Sequence, residues 1–209
     1  MLDIAGAQRF HGHMCPGLAI GIRAAEIALA EIGAHSADEE IVAIVETDMC
    51  GVDAIQYLTG CTFGKGNLIH LDYGKSAFTF IRRSDGKALR IVARPDAFGP
   101  PDPEWSALRA RVFGGKATPE EQAQFAAAQA QRTQAILDAP LDRLFDVRPV
   151  EPRIPASPPW PAGQAGQGAR IMASLTCEEC GEATMETRTR RFNGRTLCIP
   201  CFEAAEKRW

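Results

Sequence analysis

Two groups of cysteines carry most of the chemistry this chain can do. In the late group, Cys177-x-x-Cys180 and Cys198-x-x-Cys201 are separated by 17 residues. Zinc is held by four thiolates in a tetrahedron at ~2.3 Å, and each Cys-x-x-Cys offers two of them from one tight turn. Between the pairs, Asn193-Gly194 is a type I′ hairpin signal, and the residues after Cys201 read as a short terminal helix. The spacing therefore predicts a structural zinc site in a small treble-clef or zinc-ribbon module. Paired redox Cys-x-x-Cys motifs are the competing reading.

The early group opens with Phe10-His11-Gly12-His13-Met14-Cys15-Pro16-Gly17. In an extended run, His11, His13 and Cys15 fall on one side. Cys15 also precedes a helix start, where the dipole favours a thiolate. Imidazole and thiolate together suit zinc and softer transition metals. The bland alternative is two histidines capping a helix and a cysteine filling the core. Cys50 is placed to complete such a site, because it follows a β-branched run ending Glu46-Thr47-Asp48. Glu46 and Asp48 are candidates for a general base or for partners of a ligating histidine, and equally for solvated strand-end carboxylates. Gly60-Cys61-Thr62-Phe63-Gly64-Lys65-Gly66 fails the phosphate-loop spacing, yet it is a glycine-rich turn able to present Lys65 to an anion. Cys61 is a third early thiol or a small buried hydrophobe. His70, inside a predicted strand, reads as a core histidine.

The elements that must position these residues follow from periodicity. Residues 17–33 form a helix, with Pro16 at its first turn and Leu18, Ile22, Ala25, Leu29 and Ile32 as its apolar stripe. Ile41–Asp48 is a buried strand, and a short helix spans Val52–Thr59. Three strands follow around residues 67–74, 76–83 and 87–95, with Asp85-Gly86 as a hairpin turn. Two helices, 103–113 and 119–138, and a returning strand at 144–150 complete the core. The order predicts an α+β fold: a mixed core sheet with flanking helices in residues 1–150, a proline- and glycine-rich linker over 151–170, and the zinc module in 171–209.

Composition bounds what this fold can do. The formal charge is −3 with 45% hydrophobic residues, which is ordinary for a globular protein and gives no bulk attraction to nucleic acid. The zinc module itself carries six basic residues and six glutamates from Ile171 onward, so a nucleic-acid partner is disfavoured. The N-terminus lacks a signal-peptide pattern, and the most apolar helix is interrupted by Arg23, Glu26 and Glu31. A cytoplasmic protein without a membrane span is expected, and reduced thiols there favour metal over disulfides.

The set HGHMCPG, CGVDAIQ, TGCTFGKGN and DYGKSAFTF, followed by the terminal cysteine pairs, resembles the FmdE family, which takes its name from the molybdenum and tungsten formylmethanofuran dehydrogenases. The resemblance covers most of residues 10–150 and the zinc module, and it is loose over 96–143. It implies an α+β core with an auxiliary treble-clef finger, a homodimer, and a core metal-site motif mapping onto His11, His13, Cys15 and Cys50, with Cys61 as a further candidate. No segment suits a molybdopterin, and the early cysteines are too few for an all-thiolate iron–sulfur cubane, so the chain is not the catalytic component of the dehydrogenase. Two functions follow as expectations. The first is an accessory protein for molybdenum or tungsten enzymes or one-carbon metabolism, partnered by such an oxidoreductase, with structural zinc and a second transition metal. The second is a stand-alone metalloenzyme with an open metal position and Glu46 or Asp48 as base.

Overall fold

The computed structural model describes residues 2–37, 40–99, 102–153 and 172–207. The chain divides into two compact units, Met1–Pro155 and Ala156–Trp209. From residue 154 on, the stretch read as a linker lies outside the described residues up to 171.

The first unit begins with helix α1, Ile4–His11. Asp3 caps it by accepting the Gly6 N–H at 2.8 Å, and Gly12 ends it in a left-handed turn with φ of 97°. That left-handed residue turns the chain so sharply that α2, Pro16–Glu31, starts four residues later. The segment from His11 to Cys15 is thus a helix end, a left-handed turn and a new helix cap, not the extended run expected. The proline at N1 and the Cys15 thiol, which accepts the Leu18 N–H at 3.4 Å, start α2.

Strand β1, Ile41–Val45, is buried throughout and is followed by α3, Gly51–Thr59. Strands β2 (Leu68–His70), β3 (Ala77–Arg82) and β4 (Ala88–Ala93) come next. Asp85-Gly86 turns β3 into β4, with Gly86 at φ of 72°. Helices α4 (Pro103–Phe113), α5 (Pro119–Asp138) and the one-turn α6 (Leu141–Leu144) lead to β5, Phe145–Pro149. Helix α5 starts with a full capping box between Thr118 and Glu121. The five strands form one mixed sheet in the order β2-β1-β3-β4-β5, parallel between β1 and β2 and antiparallel elsewhere. The fold class is the α+β architecture expected from the sequence. His70, read as a core histidine, ends β2 exposed.

One sheet face presents Ile41, Ala43, Val45, Phe78, Phe80, Leu89 and Ile91 to the helices. Against it lies α2, which also touches α1, α3, α5 and α6. The single apolar stripe predicted for α2 is therefore too narrow: Ile20, Ala24 and Ile27 are buried along with Leu18 and Ile22, because the helix is surrounded rather than laid on a surface. Each fully buried branched side chain there contributes about 2 kcal/mol. The opposite face groups Val42, Ile44, Ile69, Ile81 and Ala88. Among the described residues, no helix is long and apolar enough to cross a membrane.

The second unit contains two hairpins and a helix. Strands β6 (Ser174–Thr176) and β7 (Ala183–Met185) pair across the turn that bears Cys177 and Cys180. A turn of 3-10 helix leads into β8 (Thr189–Phe192), which pairs with β9 (Arg195–Cys198). Asn193 and Gly194 both take positive φ, 49° and 80°, as the type I′ reading requires. Cys198 then caps α7, Ile199–Glu206, whose first turn contains Cys201. A knuckle, a hairpin and a helix in this order make the treble-clef arrangement.

Candidate metal centre

In the second unit, the sulfurs of Cys177, Cys180, Cys198 and Cys201 all lie within 4.8 Å of one another. In a tetrahedron with metal–sulfur bonds near 2.3 Å, sulfurs stand about 3.8 Å apart, and Cys180 Sγ lies 3.9 Å from Cys198 Sγ. The Cys198 N–H donates to Cys177 Sγ at 3.3 Å. Such backbone donors, from Cys180 and then Cys198, lower the Cys177 thiol to about 6. The neighbouring Cys198 sulfur and then burial push Cys201 up to about 12. Four sulfurs this close resist ionising together, and a cation is what relieves the repulsion. The donor set fits a structural metal of the zinc type.

In the first unit, His11, Cys15 and Cys50 form a second group whose donor atoms also lie within 4.8 Å of one another. They come from three elements: the last turn of α1 and the N-caps of α2 and α3. Cys15 Sγ is 3.9 Å from His11 Nε2, against about 3.6 Å for a nitrogen and a sulfur sharing one tetrahedral ion. The other ring nitrogen, Nδ1, lies 2.7 Å from Asp53 Oδ2. An ionised carboxylate only accepts, so Nδ1 donates to it, and in the neutral ring Nε2 then keeps its lone pair on the side of the thiols. A carboxylate behind a histidine is the usual support of a metal ligand. Burial, and after it the neighbouring Cys15 sulfur, push the Cys50 thiol above its ordinary value.

Glycines set this convergence. A Cβ on Gly21 of α2 would stand 2.2 Å from the Gly51 carbonyl oxygen of α3, and one on Gly51 would stand 3.1 Å from the Gly17 oxygen. Without side chains there, the two helices meet backbone to backbone and their N-terminal ends bring Cys15 and Cys50 together. Sequence pattern alone assigns no role to Asp53 or to these glycines. The available signals are the three-residue step from Cys50 to Asp53, almost one helical turn, and the Gly17-x-x-x-Gly21 spacing in an otherwise apolar helix.

The remaining candidates are placed elsewhere. His13 is exposed, with its ring 4.7 Å from that of His11, and is not among the grouped donors. Cys61 is fully buried and donates to the Ile41 carbonyl at 3.4 Å, and burial pushes its thiol to about 11. Glu46 is buried and held by Arg90, whose Nε and Nη2 donate at 2.9 and 2.8 Å. Asp48 is exposed. Lys65 Nζ donates to the carbonyls of Ser36, Ala37 and Gly60, so it ties two loops together.

The family model described as FmdE, molybdenum formylmethanofuran dehydrogenase operon, matches residues 10–146. The chain belongs to the FmdE family. A second model, the prokaryotic dksA/traR C4-type zinc finger, matches residues 171–207 and so spans the four-cysteine unit. A probable S-adenosyl-L-methionine-binding protein of Archaeoglobus fulgidus is 34% identical over 206 residues, 93% of this chain and 51% of that protein. The chain thus spans about half the length of the curated relative it matches. The crystal structure of a tungsten formylmethanofuran dehydrogenase FmdE-like protein from Syntrophus aciditrophicus shares the fold, with a TM-score of 0.58 at 22% identity over 98% of this chain and 92% of that one.

Proposed function

We propose that this protein is a metal-binding accessory protein that holds an exchangeable transition metal through His11, Cys15 and Cys50, and a permanent zinc in the C-terminal finger. The observation that carries the reading is the Asp53–His11 contact aimed at two thiols. A metal-ligating histidine almost always donates its other ring N–H to a carboxylate, carbonyl or water, and the Asp53 carboxylate stands in that place here. Borderline and soft cations suit that donor set. His13, close to His11 and exposed, is positioned to meet an arriving or departing ion. The family's description supports a tie to molybdenum or tungsten enzymes or one-carbon metabolism, with such an oxidoreductase as partner. The working form is a cytoplasmic homodimer with the core and finger as separate domains.

A stand-alone metalloenzyme is the second reading, because three grouped donors leave a fourth position on a tetrahedral ion. Its general base falls to Asp48, since the Glu46 carboxylate is engaged by Arg90.

Elemental analysis of protein purified without an affinity-metal column tests the first reading. The expected content is about two metals per chain, falling to about one when Cys15 and Cys50 are both replaced by alanine. Wild-type protein with metal in the finger alone would remove the core site and the function built on it.

A further inference from the structure

We propose that Cys15 and Cys50 are also a redox-modification site: low-molecular-weight disulfides convert them to a reversible disulfide that excludes metal from the core. This rests on the metal reading given above.

The thiols have the proximity the chemistry needs. Their sulfurs are at most 4.8 Å apart, while a disulfide needs about 2.05 Å. The difference is less than about 3 Å, within the arc a sulfur sweeps in one χ1 rotamer change. Gly17 lies beside both, and a Cβ on it would come within 3.2 Å of Cys50 Cβ and 4.0 Å of Cys15 Sγ. The close crossing of α2 and α3 at Gly21 and Gly51 fixes the backbones that carry the two thiols. Cys61, the other early cysteine, is absent from the group and bonded to the Ile41 carbonyl.

Unequal exposure sets the order of events. Cys15 is 6% exposed, whereas Cys50 is half-buried and reachable. Cys50 Sγ attacks one sulfur of a small disulfide such as oxidised glutathione. Its S–S bond breaks, and the first thiol leaves with the Cys50 proton. Cys15 Sγ then attacks the Cys50 sulfur of the mixed disulfide, and the second thiol leaves with the Cys15 proton. Two electrons pass from the protein to the small disulfide, one S–S bond is exchanged for another, and two small thiols are released. Once bonded to each other, the sulfurs are no longer thiolate ligands, and His11 alone cannot hold the ion. A bound metal in turn occupies both sulfurs and protects them.

The experiment uses the full chain with the finger zinc retained and the core emptied by a moderate chelator. It is treated with oxidised glutathione and mapped by mass spectrometry without reduction. The expected product is a Cys15–Cys50 cross-linked peptide lacking two hydrogens. Co(II), used as the probe, should then bind at the core at least about tenfold less, with recovery after dithiothreitol. Loading the core with Co(II) beforehand should slow cross-linking by a similar factor. Cys50→Ser should give no cross-link. If reduced protein binds Co(II) at the core yet never forms the Cys15–Cys50 peptide, this inference fails and the metal reading stands. If the peptide forms at the same rate with Co(II) loaded, the mutual exclusion is overturned. If reduced protein binds no Co(II) at the core, the metal reading fails and the gating fails with it.

Discussion

The finger and the core each gather sulfurs within 4.8 Å, but by opposite means. Among the described residues of the finger, the buried apolar cluster is Cys177, Leu197 and Cys198, with Phe192 and Phe202 packed against it and set edge to face with each other, ring centroids 5.6 Å apart. Two of its three buried members belong to the four-sulfur group itself. Few apolar contacts hold the sulfurs together, so the cation does most of that work. In the core, the grouped donors sit at the ends of three helices that pack on each other and on a five-stranded sheet. There the fold exists first and the site is its product. A donor set made by folding can be emptied and refilled, whereas one that makes the fold cannot.

The largest expected effect breaks the finger. Cys198→Ser removes one of the four grouped thiols while leaving α7 a residue that suits its N-cap, so the loss reads on the sulfur alone. Zinc binding in such small modules supplies on the order of 10 kcal/mol of folding energy, far more than this cluster supplies without it. The variant should lose its finger zinc and the dispersed NMR signals of residues 172–207, while signals of the core persist. Loss of both sets together in a single thermal transition would show that the two regions are one cooperative unit, and the contrast drawn above would fall.

Next comes the helix crossing that makes the core site. Gly21→Val forces a branched side chain onto the Gly51 backbone, and backbone has little room to yield. Overpacking of this kind costs about 3 kcal/mol. Denaturant titration should show that loss, and core metal should fall with it because Cys15 and Cys50 are pried apart. Finger zinc should be unchanged. A variant of wild-type stability with full core metal would mean that the close crossing does not set the site.

How much of this is legible in sequence divides along the same line. The finger can be read almost whole, since its ligands, turn and helix are local in the chain and each leaves a short-range mark: two Cys-x-x-Cys pairs and Asn193-Gly194. The core strands and the long helices are legible from periodicity. The core site is only half legible, because its geometry is tertiary. His11 and Cys15 meet through a left-handed turn at Gly12, not through strand alternation, and that turn takes His13 out of the group. Glu46 looks like a free strand-end carboxylate because Arg90, its partner, is 44 residues away on another strand. Lys65 looks free because carbonyls carry no sequence signal. Asp53 and the Gly21–Gly51 contact require knowing that α1, α2 and α3 converge.

The smallest effect is the most selective, and it rests on Asp53. Its carboxylate is 38% exposed in the pair with His11, so removing its charge should cost the fold little. Asp53→Asn keeps the shape but replaces an obligate acceptor with a group that also donates. The His11 ring then loses the partner that fixes its hydrogen on Nδ1 and aims Nε2 at the sulfurs. Outer partners of this type are worth about 10–100-fold in metal affinity. Competition against a chromophoric chelator should therefore show core affinity falling by that factor, with finger zinc and melting temperature unchanged. The Co(II) form should keep its thiolate charge-transfer band, since both sulfurs remain, while its ligand-field bands shift with the reoriented imidazole. If affinity and spectrum match wild type, Asp53 is an ordinary surface partner of His11, and the core group loses its strongest resemblance to a supported metal site. If instead the stability drops along with the metal, Asp53 serves mainly to join α1 to α3, and the core site would depend on local architecture much as the finger depends on zinc.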